Sequence, residues 1–501
     1  MKTFISSQKI FTVFFPLIIM VFLIGNTAWG LRPSIGNTKN ISQTIHKNVR
    51  QALKPTFNIQ SRYADEMTGI AVSRNANLMA SASKNGAAQL WDMNTGQRIK
   101  DFRKGSSPVL SLDFVPGGKY LLTGSKNSNI YLWDLNTGRP VQEFQGHGGP
   151  VYKIKAMGNG RSFISSGKKG NVHIWDIGQE KPVRNFIKHK DDVLALANSR
   201  ISRLAVSGGE DEKIYMWDWQ TGDLLNTFEE SDDITALVLS PDDRYLAAGL
   251  DNGSISIWDL NSGEKIYAEK IHNYTVLGMA ISPDGRYLAS SGINAKGDDN
   301  RIIYICSLPD GQKIRWMEGH EDGSCVNDIQ FSLNSRYIIS AGEDKTARFW
   351  DMNSGKELVR MVSMRSGWAV VSPEGYFDGS LEGESEDRLD AIRWTVGERS
   401  IAMDGFLENY YRPALLGRLL AGQTVADKGL PFVSEGFVLP PKVGITGPKN
   451  NSRILDRRII VQVESVEENG DIDEIRLFHN EKFIDDSKAK RKKEKNGKRI
   501  V

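Results

Sequence analysis

The sequence predicts an all-β chain whose main body is a β-propeller, a ring of small look-alike sheets. Three observations carry that prediction. The first is a tripeptide that keeps returning: Leu90-Trp91-Asp92, Leu132-Trp133-Asp134, Ile174-Trp175-Asp176, Met216-Trp217-Asp218, Ile257-Trp258-Asp259 and Phe349-Trp350-Asp351. The first five tryptophans stand 42, 42, 42 and 41 residues apart, and a worn copy, Ile305-Cys306-Ser307, divides the remaining gap into 48 and 44. The second is alternation before each tryptophan. Leu90 and Ala88, Leu132 and Ile130, Ile174 and Val172, Met216 and Ile214 are apolar, while Gln89, Tyr131, His173 and Tyr215 between them vary. Period two belongs to a strand with one well-buried face. The third is the turn that follows, Asn94-Thr95-Gly96 and its counterparts at Asn136, Gln220, Asn261 and Asn353. Asn and Gly supply the backbone angles such turns need.

A Trp-Asp pair at a period near 42 is the signature of WD40 repeats, each a four-stranded sheet that cannot bury both faces alone. Such repeats often hold a hydrogen-bonded set of His, Ser or Thr, Asp and Trp. Two copies here supply all four: His189, Ser207, Asp211 and Trp217, and His320, Ser340, Asp344 and Trp350. Elsewhere Asn85, Asn127, Lys169 and Asn252 stand where the Asp would be, which predicts less rigid blades. A His, an Asp and a Ser together also suggest a hydrolytic triad, but at this spacing inside repeats the structural role is the better reading.

The 501 residues, 40% apolar and 25% charged, suit a globular chain of more than one domain. Residues 487–501 hold eight Lys/Arg and one Glu, and Lys2 and Lys9 add two charges in the leader. With a net charge of +3 overall, the main body is mildly acidic, which implies no basic face for nucleic acid. Residues 1–30 read as a signal peptide. They have a positive start, an apolar run from Ile10 to Ile24, and Ala28-Trp29-Gly30 before a cleavage expected between Gly30 and Leu31. An uncleaved anchor is the alternative; either way the body is expected outside the cytoplasm, periplasmic or extracellular, with no membrane span after signal removal. Residues 31–55 are a linker.

The propeller is expected over residues 56–400. Thr56 to Gln60 reads as a lone strand that closes the ring by joining the last blade. Trp394 lies 44 residues after Trp350, so eight blades are favoured, with seven as the alternative. The acidic loop Glu382 to Asp387 reads as solvated rather than calcium-binding. Residues 401–437 hold a helix, Phe406 to Ala421, broken near Pro413, and a linker. Residues 438–486 read as the start of an immunoglobulin-like β-sandwich, with about four strands where such a module needs about seven. Residues 487–501 form a basic tail.

Three segments beyond the last clean repeat carry a family resemblance: SPEGYFDGS (Ser372–Ser380), NYYRPALLGRLLAG (Asn409–Gly422) and LPPKVGITGP (Leu439–Pro448). With the repeats before them, the chain resembles exported bacterial proteins that join WD40 repeats to a caspase-like cysteine peptidase domain. The resemblance implies a catalytic His and Cys in a domain after the sandwich. No cysteine follows Cys325, so no catalytic residue carries over. Cys306 and Cys325 show no metal pattern, and pairing between them is not expected. There is no Gly-rich phosphate loop ending in Gly-Lys-Ser/Thr and no HExxH, so no cofactor is implied. The expectation is a non-enzymatic interaction scaffold with a protein partner. The alternative is the recognition half of a truncated or split peptidase. Tyr274, Trp316 and Arg365 are candidate contact residues.

Overall fold

A computed structural model describes residues 56–59, 64–425 apart from 75–76, 294–301, 322, 365–366, 381–391, 397–398 and 403–409, and six short strands from Lys442 onward. The leader, the Gly30–Leu31 junction, the linker, the acidic loop and the start of the expected helix lie outside the described residues.

Seven sheets form the ring. Their first strands, Met67–Val72, Val109–Phe114, Val151–Ala156, Ala195–Asn198, Ile234–Leu239, Val276–Ile281 and Val326–Phe331, face the axis, each beside the next. Within a sheet every strand pairs antiparallel with the one before it, and each repeat tryptophan sits in the third strand. The recurrent Asp closes its own turn: Asp134 Oδ1 accepts the Asn136 and Thr137 N–H groups at 3.0 and 2.8 Å.

The sequence alternation suggested one buried face per strand. Both are buried, because each blade is sandwiched between neighbours. Gln89, Tyr131, His173 and Tyr215 are buried as well. Trp175 shows the packing. It is fully buried, stacks on Phe163 at 5.9 Å and meets the edge of Phe144 at 5.6 Å.

A bulge near the start of six first strands leaves one residue unpaired, and several of these residues reach the next blade. Thr68 Oγ1 donates to Val109 O at 2.5 Å, Thr235 Oγ1 to Val276 O at 2.6 Å, and Asn327 Nδ2 to Met67 O at 2.7 Å. The last of these crosses from the seventh blade to the first. Beside it Ile70 N–H donates to Asp328 Oδ2 at 3.0 Å.

The ring therefore closes at seven, and the preference for eight blades is corrected. Trp368–Val371 and Phe377–Gly379 do not begin a new blade. They extend the seventh sheet to six strands, pairing beyond its fourth strand Glu357–Ser363. Ile392–Val396, with Trp394, pairs instead with Arg399–Ala402 and lies beside Thr56–Ile59 in a separate three-stranded sheet. Phe57 and Trp394 meet there edge to face at 5.5 Å. Thr56–Ile59 thus does not complete the last blade, and the strands of the first blade, like those of the seventh, come from one stretch of chain.

A clasp covers the seam between those two blades. Arg98 Nη1 donates to Ser363 Oγ and Met364 O, from the first blade to the end of the seventh. After Pro413 the helix runs over Leu415–Leu420, and Ala414 before it takes a left-handed conformation at φ 56°. Ala414 N–H donates to Asp378 Oδ2 at 2.7 Å, Arg412 N–H to Phe377 O at 2.7 Å, and Tyr337 OH to Leu420 O at 2.9 Å. On its other side the helix meets the first blade. Leu416 lies against Gly96, and Gly417 against the Asn94 carbonyl.

In the second compact unit, Lys442–Gly447 pairs with Gln462–Val466. The far edge of Gln462–Val466 takes Lys498–Ile500 and then Lys492–Lys493, so strands fall within the basic tail. Leu477–His479 and Lys482–Ile484 form a hairpin.

Candidate functional site

Antiparallel order gives the propeller two rims. One carries the connections between blades and the turns between second and third strands. The other carries the turns between first and second strands and those after each Trp-Asp pair. The expected His-Ser-Asp-Trp sets lie toward the first rim, and the structure assembles both.

In the fourth blade Trp217 Nε1–H donates to Ser207 Oγ at 3.0 Å. His189 Nε2 is 2.8 Å from that hydroxyl, and His189 Nδ1 is 2.8 Å from Asp211 Oδ1. In the seventh the distances are 2.9 Å from Trp350 to Ser340, 2.7 Å from Ser340 to His320 and 2.9 Å from His320 to Asp344. One proton arrangement satisfies each set: Trp donates to Ser, Ser to Nε2, and Nδ1–H to the carboxylate. Burial alone would raise both carboxyls. The partners outweigh it: His189 holds Asp211 below the ordinary range, and His320 with Arg348 holds Asp344 further below. The connectivity is that of a hydrolytic triad, but Ser207 and Ser340 are wholly buried, and each hydroxyl already accepts an indole N–H. A nucleophile must reach a substrate. These hydroxyls lock strands together.

Other blades depart from the set in informative ways. In the third, Ser165 joins Trp175 and His147, but Lys169 stands at the Asp position in a left-handed conformation (φ 58°), and His147 Nδ1 has no partner. In the sixth, His272 bonds Ser290 at 3.0 Å, its Nδ1 is likewise unpaired, and buried Cys306 takes the indole's place. Burial, with charge from His173 or Lys313, drops both imidazoles to about 3. In the fifth, Ala248 removes the hydroxyl and Glu230 replaces the histidine. Glu230 then accepts directly from Trp258 Nε1 at 2.7 Å and from Ser256 Oγ at 2.5 Å, and pairs with Lys265 at 2.8 Å.

The seventh blade extends its set into a buried ion network that the sequence reading missed. Arg348 is 1% exposed. It donates to Asp344 at 2.7 Å and to Glu357 at 2.7 Å, and Glu357 also holds Arg360 at 2.8 Å. The signal was available. Arg348 stands two before the tryptophan, cross-strand from Ser340, where other blades have uncharged side chains.

Over the fourth and fifth blades the first rim is acidic. Burial, then neighbouring carboxylates such as Asp192 for one and Asp232 for the other, raises Glu210 and Asp233. Tyr274 and Trp316 are 53% and 64% exposed; Arg365 is outside the described residues. At the second rim a cleft of about 70 Å³ is lined by Ser73, Arg74, Asp113, Pro116 and Arg200, among others. Inside the ring, burial lowers Lys153, opposed by the charge of Asp328.

Both cysteines are free thiols. Among the described residues no group of three or more His, Cys, Asp or Glu is placed to hold a metal, and no helix is long and apolar enough to cross a membrane.

Comparison with known proteins agrees with this geometry. The family model for the WD domain, G-beta repeat, matches residues 96–134, 138–176, 180–218, 222–259, 263–305 and 311–351. The chain is 26% identical over 137 residues to the Periodic tryptophan protein 2 homolog of Neurospora crassa, covering 25% of this chain and 14% of that one. It is 28% identical over 116 residues to an uncharacterized WD repeat-containing protein of Synechocystis, covering 22% and 30%. It is 32% identical over 91 residues to the tRNA (guanine-N(7)-)-methyltransferase non-catalytic subunit wuho of Anopheles gambiae, covering 18% and 22%. The chain thus spans well under two thirds of the length of these relatives. The Trp-Asp period, the seven closed sheets and the repeat matches lead to one conclusion: this chain carries WD40 repeats and folds as a seven-bladed β-propeller.

Proposed function

We propose that the protein is a non-enzymatic, exported scaffold that binds a protein partner on its propeller rims. WD40 propellers typically mediate protein–protein interactions. The observation that carries the non-enzymatic reading is the sealing of Ser207 and Ser340. The triad-like residues of this chain are spent on holding blades, which leaves the loops of the rims for recognition. Export rests on the leader: Lys2 and Lys9, the apolar run, and small residues before Leu31. In this reading the strands from Lys442 begin an immunoglobulin-like module. The test is capture from an envelope extract by the full mature chain, with its N-terminus read by mass spectrometry. A specific partner and a start at Leu31 support the proposal. Turnover of a peptide or glycan substrate, abolished by one acidic substitution in the channel, rejects it.

A second reading, the recognition half of a caspase-like cysteine peptidase, is favoured by one contact. Asp378 and Ala414 belong to two of the three segments that carry that resemblance, and they bond each other at 2.7 Å. Those segments therefore form one structural piece. Translating the DNA after the Val501 codon in all three phases tests this reading. A caspase-like His and Cys in any phase support it, and their absence rejects it.

A further inference from the structure

We infer that the cleft at the second rim, where Arg74 and Arg200 converge, is a binding site for a carboxylate side chain of an acidic peptide segment. The inference rests on the protein-binding reading and adds a place and a chemistry to it.

The two arginines come from different blades. Arg74 follows the first strand of the first blade, and Arg200 follows that of the fourth. Both line a single cleft of about 70 Å³ with Val72, Phe114, Val115 and Pro116 as apolar walls. Their charges act on each other there: after partial burial, the charge of Arg200 is the next influence lowering Arg74, and Asp113 opposes it. Among the described residues neither guanidinium has a hydrogen-bond or ion-pair partner. Asp113 contributes the one negative charge of the lining. Its Oδ2 accepts the Ala156 N–H at 2.9 Å, which fixes it to the third blade. The lining therefore carries an excess of one positive charge.

Two like charges in one cleft with a single carboxylate, Asp113, to offset them leave the lining under-compensated, and an anion between them relieves the repulsion. Guanidinium forks match a planar carboxylate in geometry as well as charge. The cleft is too small for a nucleotide, and the acidic main body disfavours a long polyanion. An acidic side chain inserted from a peptide, with its stem against Pro116 and Phe114, satisfies both limits.

The test is fluorescence anisotropy of labelled hexa-aspartate with the full chain, at low and at physiological salt. Hexa-aspartate is expected to bind, more weakly as salt rises, and R74A/R200A is expected to weaken it at least tenfold. R161A, on the same rim but paired with Asp176, should change it less than twofold. Unchanged circular dichroism shows that the double variant has folded. Absent binding, equal binding by the double variant, or tighter binding of oligo-dT than of hexa-aspartate overturns the assignment. Capture of a partner equally by wild type and double variant overturns this site while leaving the scaffold reading intact.

Discussion

Asp328 joins residues 258 positions apart: one carboxylate oxygen accepts the Ile70 N–H at 3.0 Å, and the other accepts its own Ile329 N–H at 2.9 Å. This bond lies at the seam where the ring's first and last blades meet, a seam with no exchanged strand. Removing the carboxylate leaves a buried N–H unsatisfied, which costs about 1–3 kcal/mol. Asp328→Ala is expected to lower the unfolding free energy by that amount. Asp328→Asn keeps an acceptor and should cost less. Urea titration of both variants checks the order; equal losses would mean that bulk rather than the bond matters there.

The Arg348 network should behave as a unit. Arg348→Ala leaves Asp344 and Glu357 buried without their shared cation, a change that costs about 3–5 kcal/mol in comparable sites. Adding Glu357→Gln removes a contact with Arg348 that is already lost, so the double variant should lose less than the two single losses combined. The pH sign follows from the carboxyls. Burial would raise both, but their partners hold Asp344 and Glu357 below the ordinary range. Their stabilisation is therefore present above about pH 4, near the unfolded values, and is lost as pH falls toward the folded ones. Chemical denaturation from pH 6 to pH 3 should show a shallower acid loss in Arg348→Ala than in the wild type.

How much of this was legible depends on how local each feature is. The Trp-Asp strand and its turn are local: Asp134 bonds residues two and three ahead, so one repeat announces itself. The two His-Ser-Asp-Trp sets were legible because the repeat fixes their spacing. The blade count was not. Trp394 keeps the period, but a period does not say which sheet edge a strand joins, and the outer edge of the seventh sheet was open to Trp368–Val371. The Glu230 arrangement was hidden because two changes compensate. Losing the hydroxyl at Ala248 leaves the Trp258 indole a donor without an acceptor, and an acid at the histidine position supplies one.

Two imidazoles with an unpaired Nδ1 predict a second pH dependence. His147 and His272 sit neutral in the fold, with values near 3 set first by burial, against about 6.5 unfolded. Above pH 6.5 neither state is protonated and their contribution is intact. As pH falls from about 6.5 toward 3 the unfolded chain takes up protons that the fold refuses, and stability declines. His272→Gln removes one titrating site and should flatten the decline between pH 6.5 and 4. An unchanged slope would mean that His272 is protonated within the fold.

The clasp makes the last prediction. Gly417 is the point at which the helix Leu415–Leu420 rests on the first blade: a Cβ there would fall 1.5 Å from the Asn94 carbonyl oxygen. Backbone cannot move aside as a flexible side chain can, so Gly417→Ala must lift the helix and loosen Leu416 from Gly96. In an isolated helix the same change would be stabilising by about 1 kcal/mol, because alanine is the better helix former. Here it should instead destabilise the propeller by about 1–3 kcal/mol, the usual range for overpacking. The seam should also open locally before global unfolding. Hydrogen exchange tests this, with faster exchange expected at the Ile70 and Ala414 amides and little change in the third and fourth blades. A stabilised Gly417→Ala variant would show that the helix does not bear on the first blade.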